Sequence, residues 1–249
     1  MILSIALREC RSLFLSPLAW TVLAIVQFIL AWIFFAQIDN FFALQTQLQT
    51  LKSAPGVTDL VIAPLFNITS IVLLMVTPLL TMRLISEERR SGTIQLLMSS
   101  PVSMSQIILG KYLGMMIFFA IFIFQISLMP ISLFMGTDLD IGKLLAGFLA
   151  IFLLIAAFVA AGLYISCLTN NPSVAAISTF GLLLLLWIIN ANTNNDTSTN
   201  IFNYISLIQH SNAIIRGIIN SSDIIYFLLF ITTFLGLSIR QLDSYRLQH

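Results

Sequence analysis

Few side chains in this sequence could do chemistry, and their spacing decides what kind. Asp138 and Asp140 could form an acid and base pair or a metal clip, yet no His, Cys or third carboxylate accompanies them, so with Lys143 they read as a solvated turn. His210 stands without a partner in its neighbourhood of the sequence and reads as structural rather than as a ligand. Cys10 and Cys167 carry no ligand spacing and read as free thiols, with neither a disulfide nor a metal site. Gly110-Lys111 lacks the upstream glycine and the following hydroxyl residue of a phosphate-cradling loop, so the chain is expected to bind no cofactor and no ATP of its own. The Asn-x-Ser/Thr matches at Asn67, Asn195 and Asn220 are short patterns of the kind chance supplies.

What remains is the densest charge run in the chain, Glu87, Glu88, Arg89 and Arg90, inside the stretch MRLISEERRSGTIQLLMSSPVSMSQIILGK from Met82 to Lys111. Ser91, Gly92, Ser99, Ser100, Pro101, Ser103 and Ser105 make this stretch unfit to cross a bilayer, so it must face water or a partner. Ser86 is placed to cap a helix, with Glu87 and Glu88 in a first turn where carboxylates suit the helix dipole. Ile94, Leu97 and Met98 recur at helical spacing, and Pro101 forces the chain out of the helix near Ser99. Ser103 and Gln106 then have the form of a capping box opening the next helix. The spacing thus predicts a short amphipathic helix, Glu87 to Ser99, whose charges could make charge-assisted contacts with another protein. A solvated loop that only marks one side of the membrane is the competing reading.

The elements that must position this helix are membrane spans. With 59% hydrophobic and 8% charged residues and a net charge of +1, the chain is too apolar for an ordinary soluble domain, and no excess basicity points to nucleic acid. An all-α polytopic membrane protein is expected, with one transmembrane domain over residues 1–249 and six spans at about 18–38, 61–84, 106–135, 144–168, 174–190 and 224–239. Residues 1–16 read as a retained interfacial helix, with Ser4, Arg8, Arg11 and Ser12 on one stripe. Pro78 and Pro130 lie inside spans, where neighbouring helices can accommodate a kink. The segment 205–219, with His210 and Arg216, turns amphipathic before the last span, and that span is short for a bilayer unless its ends extend toward Asp223 and Arg240.

The stretch EERRSGTIQLLMSSPVS, followed by ILGKYLG, resembles the loop between the second and third spans of type-2 ABC exporter permeases, in particular the short six-span permeases of gliding-motility and copper-related ABC systems. RECRSLFLSPLAW, LLTMRLISEERRSGT, LTNNPSVAAISTFGLLLLLW and RGIIN resemble the same family in the same order, so the resemblance covers nearly the whole chain. It implies a transmembrane subunit that pairs with a second permease copy, as a homodimer or with a related permease, and rests on a separate ABC ATPase subunit carrying ATP and Mg. It also implies that the Glu87–Ser99 helix is a coupling helix seated in that ATPase. The coupling residues carried over are Glu87, Glu88, Arg89, Arg90, Gly92, Thr93, Ile94, Leu97, Met98, Ser99 and Pro101. An accessory protein is a further expected partner, besides the bilayer itself.

The count of basic residues orients the chain. With both termini inside, Arg8, Arg11, Arg83, Arg89, Arg90, Lys111, Arg240 and Arg246 face the cytoplasm and Lys52, Lys143 and Arg216 lie outside, an eight to three division expected of a multi-pass inner (plasma) membrane protein. No span interior is read as carrying Asp, Glu, Lys, Arg or His, which disfavours an ion-coupled carrier. An ATP-driven exporter subunit with no enzymatic site of its own is the expectation; a membrane scaffold, or an integral membrane enzyme without ATP coupling, is the alternative. The cargo and its lining residues are not legible in the sequence.

Overall fold

Apolar runs without internal breakers must satisfy their backbone polar groups within the segment, which in lipid leaves the helix as the available form. The computed structural model of this chain describes residues 2–48, 56–93, 103–134, 139–191 and 206–248. They form α1 (Ile2–Leu15), α2 (Pro17–Leu48), a π-helical turn (Thr58–Ile62) leading into α3 (Ala63–Thr81), α4 (Ser86–Arg90), α5 (Met104–Leu133), α6 (Ile141–Leu168), α7 (Pro172–Ala191), α8 (Leu207–Ile215) and α9 (Ser221–Gln248). There is no strand among the described residues, and the protein is an all-α polytopic membrane protein. Five helical segments are long and apolar enough to cross a bilayer: Pro17–Leu44, Thr58–Arg90, Met104–Leu133, Ile141–Leu168 and Ser221–Tyr245. The expected fifth span falls on α7, whose apolar part, Pro172–Ile188, is shorter.

Helix α6 is the centre of the bundle, packed by α3, α5, α7, α8 and α9, and its most apolar window is 78% buried. Its alanines and glycines make this possible, because small residues let helix backbones approach in a membrane, where packing replaces the hydrophobic effect as the cohesive force. At Gly147 an added Cβ would come within 2.1 Å of the Phe66 ring, and at Gly162 within 2.3 Å of Thr81 Oγ1, so α3 lies directly on these two positions. The other close seam joins α1 to α5. A Cβ at Gly110 would meet Ile5 Cγ2 at 2.7 Å, and one at Gly114 would meet the Ala6 carbonyl oxygen at 2.8 Å. Gly110 and Gly114 are one helical turn apart on the same face, and Ala6 is fully buried between them.

Several element boundaries depart from the sequence reading, each for a local reason. Helix α2 continues past Ile38 through Asp39 to Leu48, since a single exposed carboxylate followed by no proline or glycine does not stop a helix. Helix α9 likewise runs on from Ile239 through the polar tail, which supplies the length that the 224–239 segment lacked. The capping box is present as expected: Gln106 N–H donates to Ser103 Oγ, and Ser103 N–H donates to Gln106 Oε1, each at 3.4 Å. At the opposite end of the bundle Asp140 is exposed, as expected of a solvated turn, and it also has a structural role. Its Oδ1 caps α6 by accepting from the N–H groups of Gly142 (3.0 Å) and Lys143 (3.3 Å), while Lys143 Nζ reaches Asp59 Oδ1 at 2.7 Å beside the π turn. Asp138 lies outside the described residues.

Candidate functional site

The charged run falls on α4, a five-residue helix wedged where α1, α5, α6 and α9 converge. Its entry is fixed from outside. Ser86 does not cap it: Ile85 occupies the N-cap, and the Ser86 hydroxyl donates back to the Met82 carbonyl oxygen. The capping role passes to Ser166 of α6, whose Oγ accepts the backbone N–H groups of Ile85 and Ser86, both at 3.0 Å, and donates to the Met82 carbonyl oxygen at 3.1 Å. One buried hydroxyl therefore satisfies two orphan donors of the helix start and ties the α3–α4 joint to the central helix.

The exit is set by the chain itself. Gly92 has φ +72°, a left-handed conformation that glycine adopts without a Cβ penalty, so α4 ends at Arg90 and the expected Glu87–Ser99 helix is interrupted there. Ser91 Oγ donates to the Glu87 carbonyl oxygen at 2.9 Å, and Thr93 Oγ1 to that of Glu88 at 3.4 Å, which covers carbonyls the helix end leaves open. Residues Ile94, Leu97, Met98, Ser99 and Pro101 of the expected coupling set lie outside the described residues.

The four charges divide into an inner and an outer pair. Glu88 turns inward, its Oε1 2.8 Å from Lys111 Nζ; the same ammonium lies 2.7 Å from Glu9 Oε1 of α1. Lys111 is 1% exposed, a position an ammonium tolerates only when it is paired and hydrogen-bonded. Arg8 Nη2, 3.8 Å from the same Glu9 oxygen, adds a second and weaker positive charge from the surface. Arg89 also turns inward. Its guanidinium carbon sits 4.4 Å from the centroid of the Tyr245 ring of α9, a cation–π contact, and its Nε and Nη2 are buried with no hydrogen-bond partner among the described residues. Glu87 and Arg90 point outward, Glu87 beside Arg83 at 3.9 Å, and Gly92 and Thr93 are exposed next to them.

Sequence reasoning missed Lys111, Glu9, Ser166 and Tyr245. Lys111 was visible as a lone charge in the first turns of an apolar helix, flanked by Gly110 and Gly114, which is the pattern of a paired intramembrane ionisable residue beside a close helix contact. Nothing local marks the other three. The histidine also gains a partner: His210 Nδ1 lies 2.6 Å from Asp223 Oδ1, joining α8 to the start of α9, and the imidazole stacks on the Tyr226 ring at 4.5 Å. Both cysteines are free and buried, and burial pushes the Cys10 thiol above its ordinary value.

These contacts sort the molecule into two ends. The pairs formed by Lys111 with Glu9 and by Arg89 with Tyr245 place both terminal helices, α1 and α9, at the α4 end, while Asp59, Asp140, Lys143, His210 and Asp223 gather at the other. A family model described as "ABC-2 family transporter protein" matches residues 3–246. A search of curated proteins finds no significant match.

Proposed function

From the premise that this chain belongs to the ABC-2 transporter family, whose model spans residues 3–246, we infer that it is the transmembrane subunit of an ATP-driven exporter. The ATPase subunit docks against α4. The observation that carries this reading is the division of the α4 charges: Glu88 and Arg89 hold the short helix to α5 and α9, and Glu87, Arg90, Gly92 and Thr93 are left facing outward at its tip. A load-transmitting contact needs both properties, an outward surface and a stiff internal mounting. A solvated topogenic loop needs neither.

In this reading the α4 end is cytoplasmic, as the excess of basic residues there favours, and both termini lie in the cytoplasm of a cell whose plasma membrane the protein crosses. ATP and Mg sit on the partner. A second copy of the chain, or a related permease, completes the pair, and an accessory protein joins the complex. ATP-driven approach of two ATPases shifts the two α4 helices, and the shift reaches the spans because ATP binds one arrangement of the whole complex better than the other.

The test follows from the division of charges. Glu87→Lys and Arg90→Glu, both on exposed side chains, should leave the fold intact and weaken ATPase association by about tenfold, or about 1.4 kcal/mol, measured by titrating the detergent-solubilised permease with the ATPase. Unchanged association in the double variant would overturn the docking assignment. The isolated chain should show no ATP binding by equilibrium dialysis; tight binding would remove the need for a separate energy source.

A further inference from the structure

A cleft of about 210 Å³ opens where α1 gives way to α2 at Ser16, closed on its third side by the α3–α4 joint. Its lining is divided. Ala19, Leu80 and Leu84 are buried apolar groups, whereas Ser12, Arg83 and Glu87 are exposed polar ones, and Glu9 reaches in from α1. The cleft stands where the apolar helices α2, starting at Pro17, and α3, ending at Thr81, meet the charged residues, which is the level of lipid headgroups. An amphipathic pocket at that depth suits an amphipathic ligand that arrives through the bilayer.

The charges narrow the ligand further. Arg83 Nε and Glu87 Oε2 are 3.9 Å apart at the limit of an ion pair, with 49% and 57% of their side chains exposed, so little holds them together against a ligand offering each a better partner. Glu9 is already held by Lys111 at 2.7 Å, which leaves Arg83 and Glu87 as the exposed charges of the lining, one of each sign, and such a pair opposes a purely anionic headgroup. A headgroup with a phosphate for Arg83 and an N–H-bearing ammonium for Glu87 matches the pair, whereas a quaternary ammonium has no N–H to donate.

We propose that this cleft holds the headgroup of a zwitterionic phospholipid bearing a primary ammonium, an ethanolamine lipid, from the leaflet on the α4 side. The phosphate lies on Arg83, the ammonium on Glu87, and the first chain carbons against Leu13 and Leu80. The lipid bridges α1 to the α3–α4 joint, the corner that carries α4. This assignment does not depend on ATP coupling, and its test reads lipid retention in the absence of any ATPase.

The permease is reconstituted in phosphatidylcholine nanodiscs containing equal small fractions of phosphatidylethanolamine and phosphatidylglycerol, extracted in mild detergent and weighed intact by native mass spectrometry. One ethanolamine lipid per chain should persist with roughly tenfold preference over either competitor. Arg83→Gln and Glu87→Gln should each bring retention toward the bulk ratio without changing thermal unfolding. Ser12→Trp, which fills the cleft and leaves both charges in place, should expel the lipid as well. Equal retention of the ethanolamine and glycerol lipids would show a phosphate site only and overturn the amine assignment. Ethanolamine retention untouched by all three substitutions would show adventitious annular lipid only.

Discussion

Lys111 is the side chain on which the α4 end depends, since it separates two carboxylates that would otherwise face each other. Glu9 and Glu88 lie 102 and 23 residues from it in sequence, at 2.7 and 2.8 Å in space. Replacing Lys111 by Met keeps the volume and the helix but leaves both carboxylates without their shared cation, and breaking a buried pair from one side costs about 3 kcal/mol. Thermal unfolding in detergent should register that loss. Adding Glu9→Gln and Glu88→Gln to Lys111→Met should recover most of it, because neutral amides remove the uncompensated charge; a triple variant as unstable as the single one would show that uncompensated carboxylate charge is not the source of the loss. Sequence reading counted Lys111 as a positive charge marking one side of the membrane. Its pairing could not be seen there, because which of the chain's carboxylates meets it is decided by how α1 folds back on α5.

At the scale of elements, the seam between α1 and α5 is built from absent side chains. Gly110 and Gly114 let the α1 backbone come within contact distance, and Cys10, one turn beyond Ala6, is buried by the same approach. A Gly114→Leu side chain has no space against the Ala6 carbonyl, so α1 should be displaced while the spans remain formed. Burial raises the Cys10 thiol and shields it, so a maleimide should modify it slowly in the wild type and several-fold faster in Gly114→Leu, with hydrogen exchange rising in α1 and not in α6. Equal rates in the two proteins would mean that α1 is not held by this seam. The fragment ILGKYLG resembles a family segment, yet its spacing also states the physics: two glycines one turn apart make a docking face. Helix existence was legible throughout because apolar runs of this length have no other form in lipid. Helix ends were less so. Asp39 and the polar tail after Ile239 look like stops and are not, whereas Gly92 looked tolerable inside a helix and ends one.

At the scale of the whole molecule, two statements about sidedness rest on different grounds and can be tested apart. The geometry puts α1, the α4 tip and the end of α9 at one end, with the start of α9 at the other, whichever way the chain is inserted. The proposed orientation rests instead on the basic residues at the α4 end, since basic residues resist translocation. In a background with Cys10→Ser and Cys167→Ser, single cysteines at Ser12, Thr93 and Ser222 all replace exposed side chains. An impermeant thiol reagent should label Ser12→Cys and Thr93→Cys together in inverted vesicles, and Ser222→Cys only in intact cells. Labelling of Ser12→Cys and Thr93→Cys from opposite sides would contradict the fold, since Glu9 and Glu88 meet on one lysine. Labelling of both from the outside would leave the fold standing and reverse the insertion, and with it the access of a cytoplasmic ATPase to α4. With the ATPase bound, Thr93→Cys should become protected and Ser222→Cys should not, because protection requires the partner to cover the tip of α4 itself rather than to change the membrane around it.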